Sequence, residues 1–457
     1  MQPLSSLDAS FLYIENEFNH MHVAVVAIFE GPPPRGEEIE DMISSKLHRV
    51  PRYRQKVRFV PFEFGRPVWS DDHHFNIKYH VRHSALPAPG SDEQLRTLVG
   101  RVMSQQLDRT KPLWEIWVVE GLEEGRWAIL TKTHHCMVDG VSGSDLLSVL
   151  LDRTRDAEYP PALRWEPEDT PSGRSLFLKS LAAGFRTPVE SVETMFDALR
   201  APGRALHGLA ELTDGLSTFR TLAKDELESS LNGPIGPHRR WHPASTMIAD
   251  VMKIRSTHGG TINDVVLTAI SFGFRALMLS RNEPVKGLNV RTLVPVSVRR
   301  EDERGELNNR VSAMFADLPM DIEDPVECLK SIRREMIELK KHHQHAAVDS
   351  LNALTSLAPP ALMALGARLF AGVEQHTVQT VTTNVPGPRT TLYAAGREMI
   401  AAYPYVPLAG SVRIGVAIFS YGGLLTFGIT GDYENAPDID VLGRGIEDAI
   451  AELLAKS

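Results

Sequence analysis

RWAILTKTHHCMVDGVSGSDLLSVLLDRTRD, residues 126–156, passes from a strand-like apolar run through two adjacent histidines into an amphipathic segment. Residues 126–134 are predicted to form a strand and 142–156 a helix, whose start is marked by Ser142, Ser144 and Asp145. His134-His135, followed by Asp139-Gly140, therefore sits where a strand hands over to a helix. Successive strand residues point to opposite faces, so both histidines cannot enter one cavity. One can face a reaction channel while the other packs inward and braces it. Gly140 permits the tight return of the chain, and the Asp139 carboxylate could fix local geometry or a histidine tautomer.

A histidine suits general-base work because its ordinary pKa, about 6.5, lies close to operating pH. It could deprotonate a hydroxyl for attack on a carbonyl and return the proton to the leaving group, which is acyl transfer with no covalent intermediate. Plainer readings stand beside this one. A histidine pair can be structural, and His73-His74 shows the pair without the following Asp-Gly. A metal site is disfavoured, since His134, His135 and Asp139 supply three ligands and no HExxH or CxxC partner occurs. Cys136 has nothing nearby to activate its thiol and reads as an inert core or lining residue.

Outward from the motif, residues 21–30, 75–83 and 126–134 read as strands, and 36–50 and 92–107 as helices. Residues 157–175 carry four prolines and no periodicity, a linker; a proline-broken helical stretch at 176–212 and an irregular segment at 231–243 follow. Beyond it, 261–280 reads as a helix and 288–299 as a strand, with Pro295 arguing for an edge or a bulge. A strand at 376–385, a hairpin over 413–430 around Tyr421-Gly422-Gly423 and a terminal helix at 437–456 complete the pattern. Two α/β units are expected in the 457 residues, 1–156 and 241–457, joined by a linker and helical crossover at 157–240.

Hydrophobic residues make up 42% of the chain and charged ones 23%, an ordinary globular balance. The formal charge of −9 argues against general nucleic-acid binding. With only two cysteines, Cys136 and Cys328, no disulfide framework is expected and a reducing compartment is. The opening residues lack a basic segment followed by a long apolar core, so no signal peptide is expected. The uncharged run 350–367 is interrupted by Pro359-Pro360 and reads as a broken helix pair.

HHxxxDG at a strand-to-helix junction resembles the active-site motif of coenzyme-A-dependent acyltransferases of the chloramphenicol acetyltransferase-like fold. SSLDASFLYIE, DRTKPLWEIWVVEGL, NGPIGPHRRW, THGGTINDVVL, VPVSVRR and TTNVPGP follow one another in an order similar to the bacterial wax ester synthase/acyl-CoA:diacylglycerol acyltransferase family, with Lys111 where that family often carries arginine. The resemblance implies two such domains, each a mixed β-sheet with flanking helices, and a channel between them. It implies His135 as general base, with His134, Asp139 and Gly140 supporting the geometry. The expected substrates are acyl-CoA and a diacylglycerol or fatty alcohol, with no cofactor, no metal and no nucleic acid.

It also suggests substrate-binding roles, each with a structural alternative. Asn263 would sit at the channel mouth or near the oxyanion, although Thr261 and Asp264 have the spacing of a helix capping box. Pro112, Leu113 and Trp114 would line the channel or pack beneath the histidine strand. Asn384, Pro386 and Gly387 would border the acyl pocket or form a stiff turn. His238, Arg239 and Arg240 could meet coenzyme A phosphates or form a solvated basic face. The protein is expected in the cytoplasm, with segments 176–212 and 350–374 as candidates for peripheral contact with the inner membrane or lipid droplets.

Overall fold

The computed structural model describes residues 2–61, 65–138, 143–169, 172–178, 229–297, 311–343 and 376–457. Segments 179–212 and 350–374, where interfacial helices were expected, lie outside the described residues, as do Asp139 and Gly140. Two six-stranded sheets organise the rest, beside a two-stranded ribbon of β2 (Gln55–Arg58) and β3 (Val68–Asp71). In the first, β6 (Trp127–His134) is central. It pairs antiparallel with β1 (His22–Phe29) on one side and with β5 (Trp114–Glu120) on the other, and β4 (Val81–Ala85) adds parallel to β5. Every residue of β6 is buried, because helices cover both faces of this sheet.

α1 (Ser6–Ile14), α2 (Gly36–Lys46) and α5 (Gly143–Leu150) supply residues to the apolar cluster on one face, and α4 (Asp92–Met103) to that on the other. The charge inside β6 is satisfied locally. Buried Lys132 donates to the Val102 carbonyl at 2.9 Å and to that of Gln105, at the C-terminal end of α4. Burial nevertheless pushes its pKa down to about 8.

Two expectations need correction. The alternating stretch 75–83 is not one strand: Ile77–His80 forms a single helical turn, α3, before β4 begins. The Asn76 side chain accepts the Lys78 N–H at 3.1 Å and starts the turn. His80 is thereby directed inward, stacked 4.4 Å from the Trp114 ring. Second, the strand with Pro295, β8 (Asn289–Ser297), is not an edge strand. It lies between β9 (Val311–Pro319) and β10 (Thr380–Val385). Its pairing with β10 is limited to Thr292 and Leu293, so Pro295 needs no hydrogen bond on that side.

The second sheet runs β7-β14-β13-β10-β8-β9, with β7 at Arg239–Met247, β13 at Ile414–Tyr421 and β14 at Leu424–Asp432. Its core is closed by α6 (Ile248–His258), α7 (Ile262–Ser280), α8 (Pro325–His343) and α9 (Ile439–Ala455). α7 is apolar and long enough to cross a membrane, but 67% of that window is buried inside the protein.

β11 (Tyr393–Ala394) and β12 (Arg397–Tyr405) come from the second half of the chain yet complete the first sheet, β12 pairing with β1. Side chains of the second sheet hold β12 from the other side. Thr426 donates to the Ala402 carbonyl at 2.6 Å and Trp241 to the Pro404 carbonyl at 3.1 Å. At this junction Gly428 is required by proximity, since a Cβ there would lie 1.6 Å from the Pro404 oxygen. Gly428→Ala is therefore expected to cost roughly 3 kcal/mol through forced separation of the two sheets. A melting temperature equal to that of the unaltered protein would contradict this.

Candidate active site

The two histidines separate as alternation at a strand end requires. His134, the last residue of β6, is fully buried opposite His22 of β1. Its backbone N–H donates to the Leu113 carbonyl at 2.9 Å. Its ring Nδ1 accepts the Cys136 N–H at 3.1 Å, so the proton resides on Nε2. That nitrogen points at Glu15 Oε2, 3.5 Å away. His22 Nε2 lies 3.2 Å from Glu15 Oε1, and Arg109 Nε donates to Glu15 Oε2 at 2.9 Å.

Burial alone would raise the Glu15 pKa, but the adjacent His134 and His22 imidazoles outweigh it and hold the carboxyl far below the usual carboxylate range. Burial pushes His22 down to about 3, so that imidazole is neutral near pH 7. The cluster thus contains one charge pair, Glu15 with Arg109, braced by the neutral His22 ring and by His134. His134 has no lone pair left for proton transfer and acts as a buttress.

His135 opens the 3-10 turn His135–Met137. Its N–H donates to the Met21 carbonyl at 2.7 Å, fixing the backbone against the start of β1. The side chain is only half-buried, and the Phe11 ring of α1 lies over it with centroids 4.0 Å apart. Burial and the neighbouring His134 lower its pKa to about 4, against an opposing hydrogen bond to its own backbone carbonyl. With Nδ1 turned to that carbonyl, Nε2 has no partner among the described residues and can accept a proton. Cys136 is buried, and burial raises its thiol well above the ordinary range, so it supplies no thiolate.

The other expected residues are dispersed. Pro112, Leu113 and Trp114 are buried beside the histidine strand, at the start of β5; Trp114 donates to the Tyr53 carbonyl at 2.8 Å and serves packing. Asp264 completes the capping box, its carboxylate accepting the Thr261 N–H at 2.7 Å, and beside it Asn263 is partly exposed in the first turn of α7. Asn384 and Pro386 are exposed, while the Gly387 N–H donates to Ser420 Oγ at 3.1 Å across a close turn.

The suggestion that Arg239 meets phosphates or forms a solvated face is overturned. Its guanidinium is buried, 3.7 Å from Asp432, and donates to the carbonyls of Gly236, His238 and Phe18. Arg240 is occupied by Tyr433, lying 4.0 Å over its ring. Sequence reasoning missed Phe11, Glu15, His22 and Arg109. The available signal was the spacing of Phe11 and Glu15, four apart on one helical face.

Residues 4–266 match the family described as the wax ester synthase/diacylglycerol acyltransferase catalytic domain, and residues 307–454 match the WS/DGAT C-terminal domain. A Mycobacterium tuberculosis protein named as a probable diacylglycerol O-acyltransferase is 37% identical over 459 residues, covering 100% of this chain and 96% of that protein. Among solved structures, the wax ester synthase/diacylglycerol acyltransferase of Marinobacter aquaeolei superposes with a TM-score of 0.70 at 24% identity, covering 100% of this chain and 99% of that one. The first condensation domain of the calcium-dependent antibiotic synthetase gives 0.58 at 15% identity, covering 99% and 97%. These structural likenesses establish the two-domain chloramphenicol acetyltransferase-like fold. Sequence and fold together place this chain in the wax ester synthase/diacylglycerol acyltransferase family, acyl-transfer enzymes of triacylglycerol and wax ester synthesis.

Proposed function

We propose that His135 is the general base of a direct transfer from acyl-CoA to a lipid hydroxyl, with diacylglycerol as the preferred acceptor and long-chain alcohols as the alternative. The acceptor O–H would give its proton to His135 Nε2 while its oxygen attacks the thioester carbonyl. The carbon–sulfur bond then breaks, and the coenzyme A thiolate takes the proton back from the imidazolium. One observation carries the assignment: of the two histidines, His134 has its acceptor nitrogen engaged by the Cys136 N–H, whereas His135 keeps Nε2 unclaimed among the described residues. The inert Cys136 thiol supports a mechanism without an acyl-enzyme. The preference for diacylglycerol follows the named activity of the 37% identical relative.

Incubation with labelled palmitoyl-CoA, offering dioleoylglycerol and hexadecanol separately, tests the acceptor; ester from hexadecanol alone would reverse the order. Dialysis against a chelator is expected to leave the rate unchanged, because the proposed steps need no metal. Substrates this apolar reside in membranes and droplets, so peripheral attachment at the inner membrane or at lipid droplets belongs to the same proposal. Vesicle flotation that leaves all the protein in the pellet would end that part.

The pH dependence has a definite sign. His135 is active as the neutral base, and its pKa is lowered to about 4, so the rate should stay flat as pH falls through 6.5. Decline should begin only below roughly pH 5. Of the neighbouring polar groups His134 bears on this ring directly, whereas Glu15, His22 and Arg109 form the separate cluster against His134. An acid limb centred near 6.5 for kcat/KM would show an ordinary, solvated imidazole instead.

A further inference from the structure

Glu15 and Phe11 lie one turn apart on the same side of α1 and its C-terminal cap. The two residues meet consecutive histidines: Glu15 reaches His134, and the Phe11 ring covers His135 with a 35° tilt between planes. The helix is held at both ends. Ser5 accepts the Asp8 N–H at 3.0 Å at its start, and Arg109 donates to the Leu12 carbonyl at 3.0 Å and to Glu15 at its finish. Phe11 is therefore carried over the base by a fixed support. One turn earlier on α1 comes Leu7, 40% exposed, and Phe11 itself is partly exposed.

We propose that Phe11 is a specificity-determining residue that keeps water from His135, so that a lipid hydroxyl and not water receives the acyl group. This rests on the reading of His135 as base. The base itself cannot tell the two acceptors apart. With water, the proton would pass to Nε2, the oxygen would bond to the thioester carbonyl carbon, and the carbon–sulfur bond would break. The thiolate would then take the proton back from the imidazolium, leaving free fatty acid and coenzyme A.

Discrimination must come from access. Rings centred 4.0 Å apart are in van der Waals contact, and no water fits between them. An acyl or alkyl chain can take over the apolar contacts that Phe11 gives up on swinging aside; water offers none in exchange.

The test uses the full chain with labelled palmitoyl-CoA and dioleoylglycerol, measuring triacylglycerol, free palmitate and coenzyme A release together. Phe11→Ala is expected to raise the ratio of free acid to ester roughly tenfold, and Phe11→Leu, which keeps most of the apolar cover, to raise it less. A merely structural residue would lower both products in step, so an unchanged ratio in the variants overturns the inference. Should Phe11→Ala fail to fold, the ratio in Phe11→Leu decides. If the unaltered protein makes no ester at all, the reading of His135 fails, and this inference with it. Ester formation by the unaltered protein with an unchanged ratio in the variants removes the inference alone.

Discussion

His135→Ala is expected to lower kcat for ester formation by about 10³-fold while leaving the protein folded. The size follows from removing a positioned proton acceptor from a step in which a lipid hydroxyl, far too weak an acid to ionise unaided near pH 7, must become a nucleophile. Neighbours cannot substitute. His134 Nδ1 is held by the Cys136 N–H, Glu15 is engaged by Arg109, His22 and His134, and the Cys136 thiol is buried and protonated. The fold should survive because the half-buried His135 ring is no member of the Glu15 cluster. Its backbone bond to Met21, moreover, persists in alanine. Circular dichroism matching the unaltered protein, with ester synthesis retained above one tenth, would refute the assignment.

Arg239→Ala is expected to cost roughly 3–5 kcal/mol of stability. Arg239 and Asp432 are both almost fully buried and 3.7 Å apart. Without the guanidinium, Asp432 keeps only neutral donors, the Gly236 N–H at 2.7 Å, the Asn435 side-chain amide at 2.6 Å and the Asn435 backbone N–H at 3.1 Å. The carbonyls of Gly236, His238 and Phe18 each lose a donor at the same time, that of His238 keeping the Tyr433 N–H at 3.1 Å. Phe18 belongs to the loop between α1 and β1 that carries Glu15 toward His134, so slower turnover should accompany the loss. Thermal unfolding is the measurement, and Asp432→Asn in the Arg239→Ala background should recover part of the loss by removing the stranded charge. A cost below about 1 kcal/mol would mean that the pair behaves as a solvated surface bridge.

Much of the local architecture was legible. Thr261 and Asp264 announce a helix start, and the structure contains both halves of the capping box. Tyr421-Gly422-Gly423 announces a hairpin, and Tyr421 pairs with Leu424 across it. Failures arose where an alternating pattern had two solutions. Residues 75–83 alternate like a strand, but the Asn76 side chain offers the backbone a competing hydrogen bond that begins a helical turn. Arg239-Arg240 reads as a basic surface because arginine is seldom buried, and only the position of Asp432, far along the chain, reverses that expectation.

By itself the sequence determined the strand-to-helix junction, the opposite facing of His134 and His135, the caps and the hairpin, all of which depend on residues within a few positions of one another. Tertiary structure alone decided which imidazole has its lone pair engaged, which carboxylate braces that ring, and which aromatic ring covers the other. It also decided that β12 joins the first sheet. These outcomes depend on desolvation and on contacts between remote segments: Glu15 with His134, Phe11 with His135, Asn19 with Gly410. Periodicity along a chain carries no information about which distant surface will remove a given side chain from water.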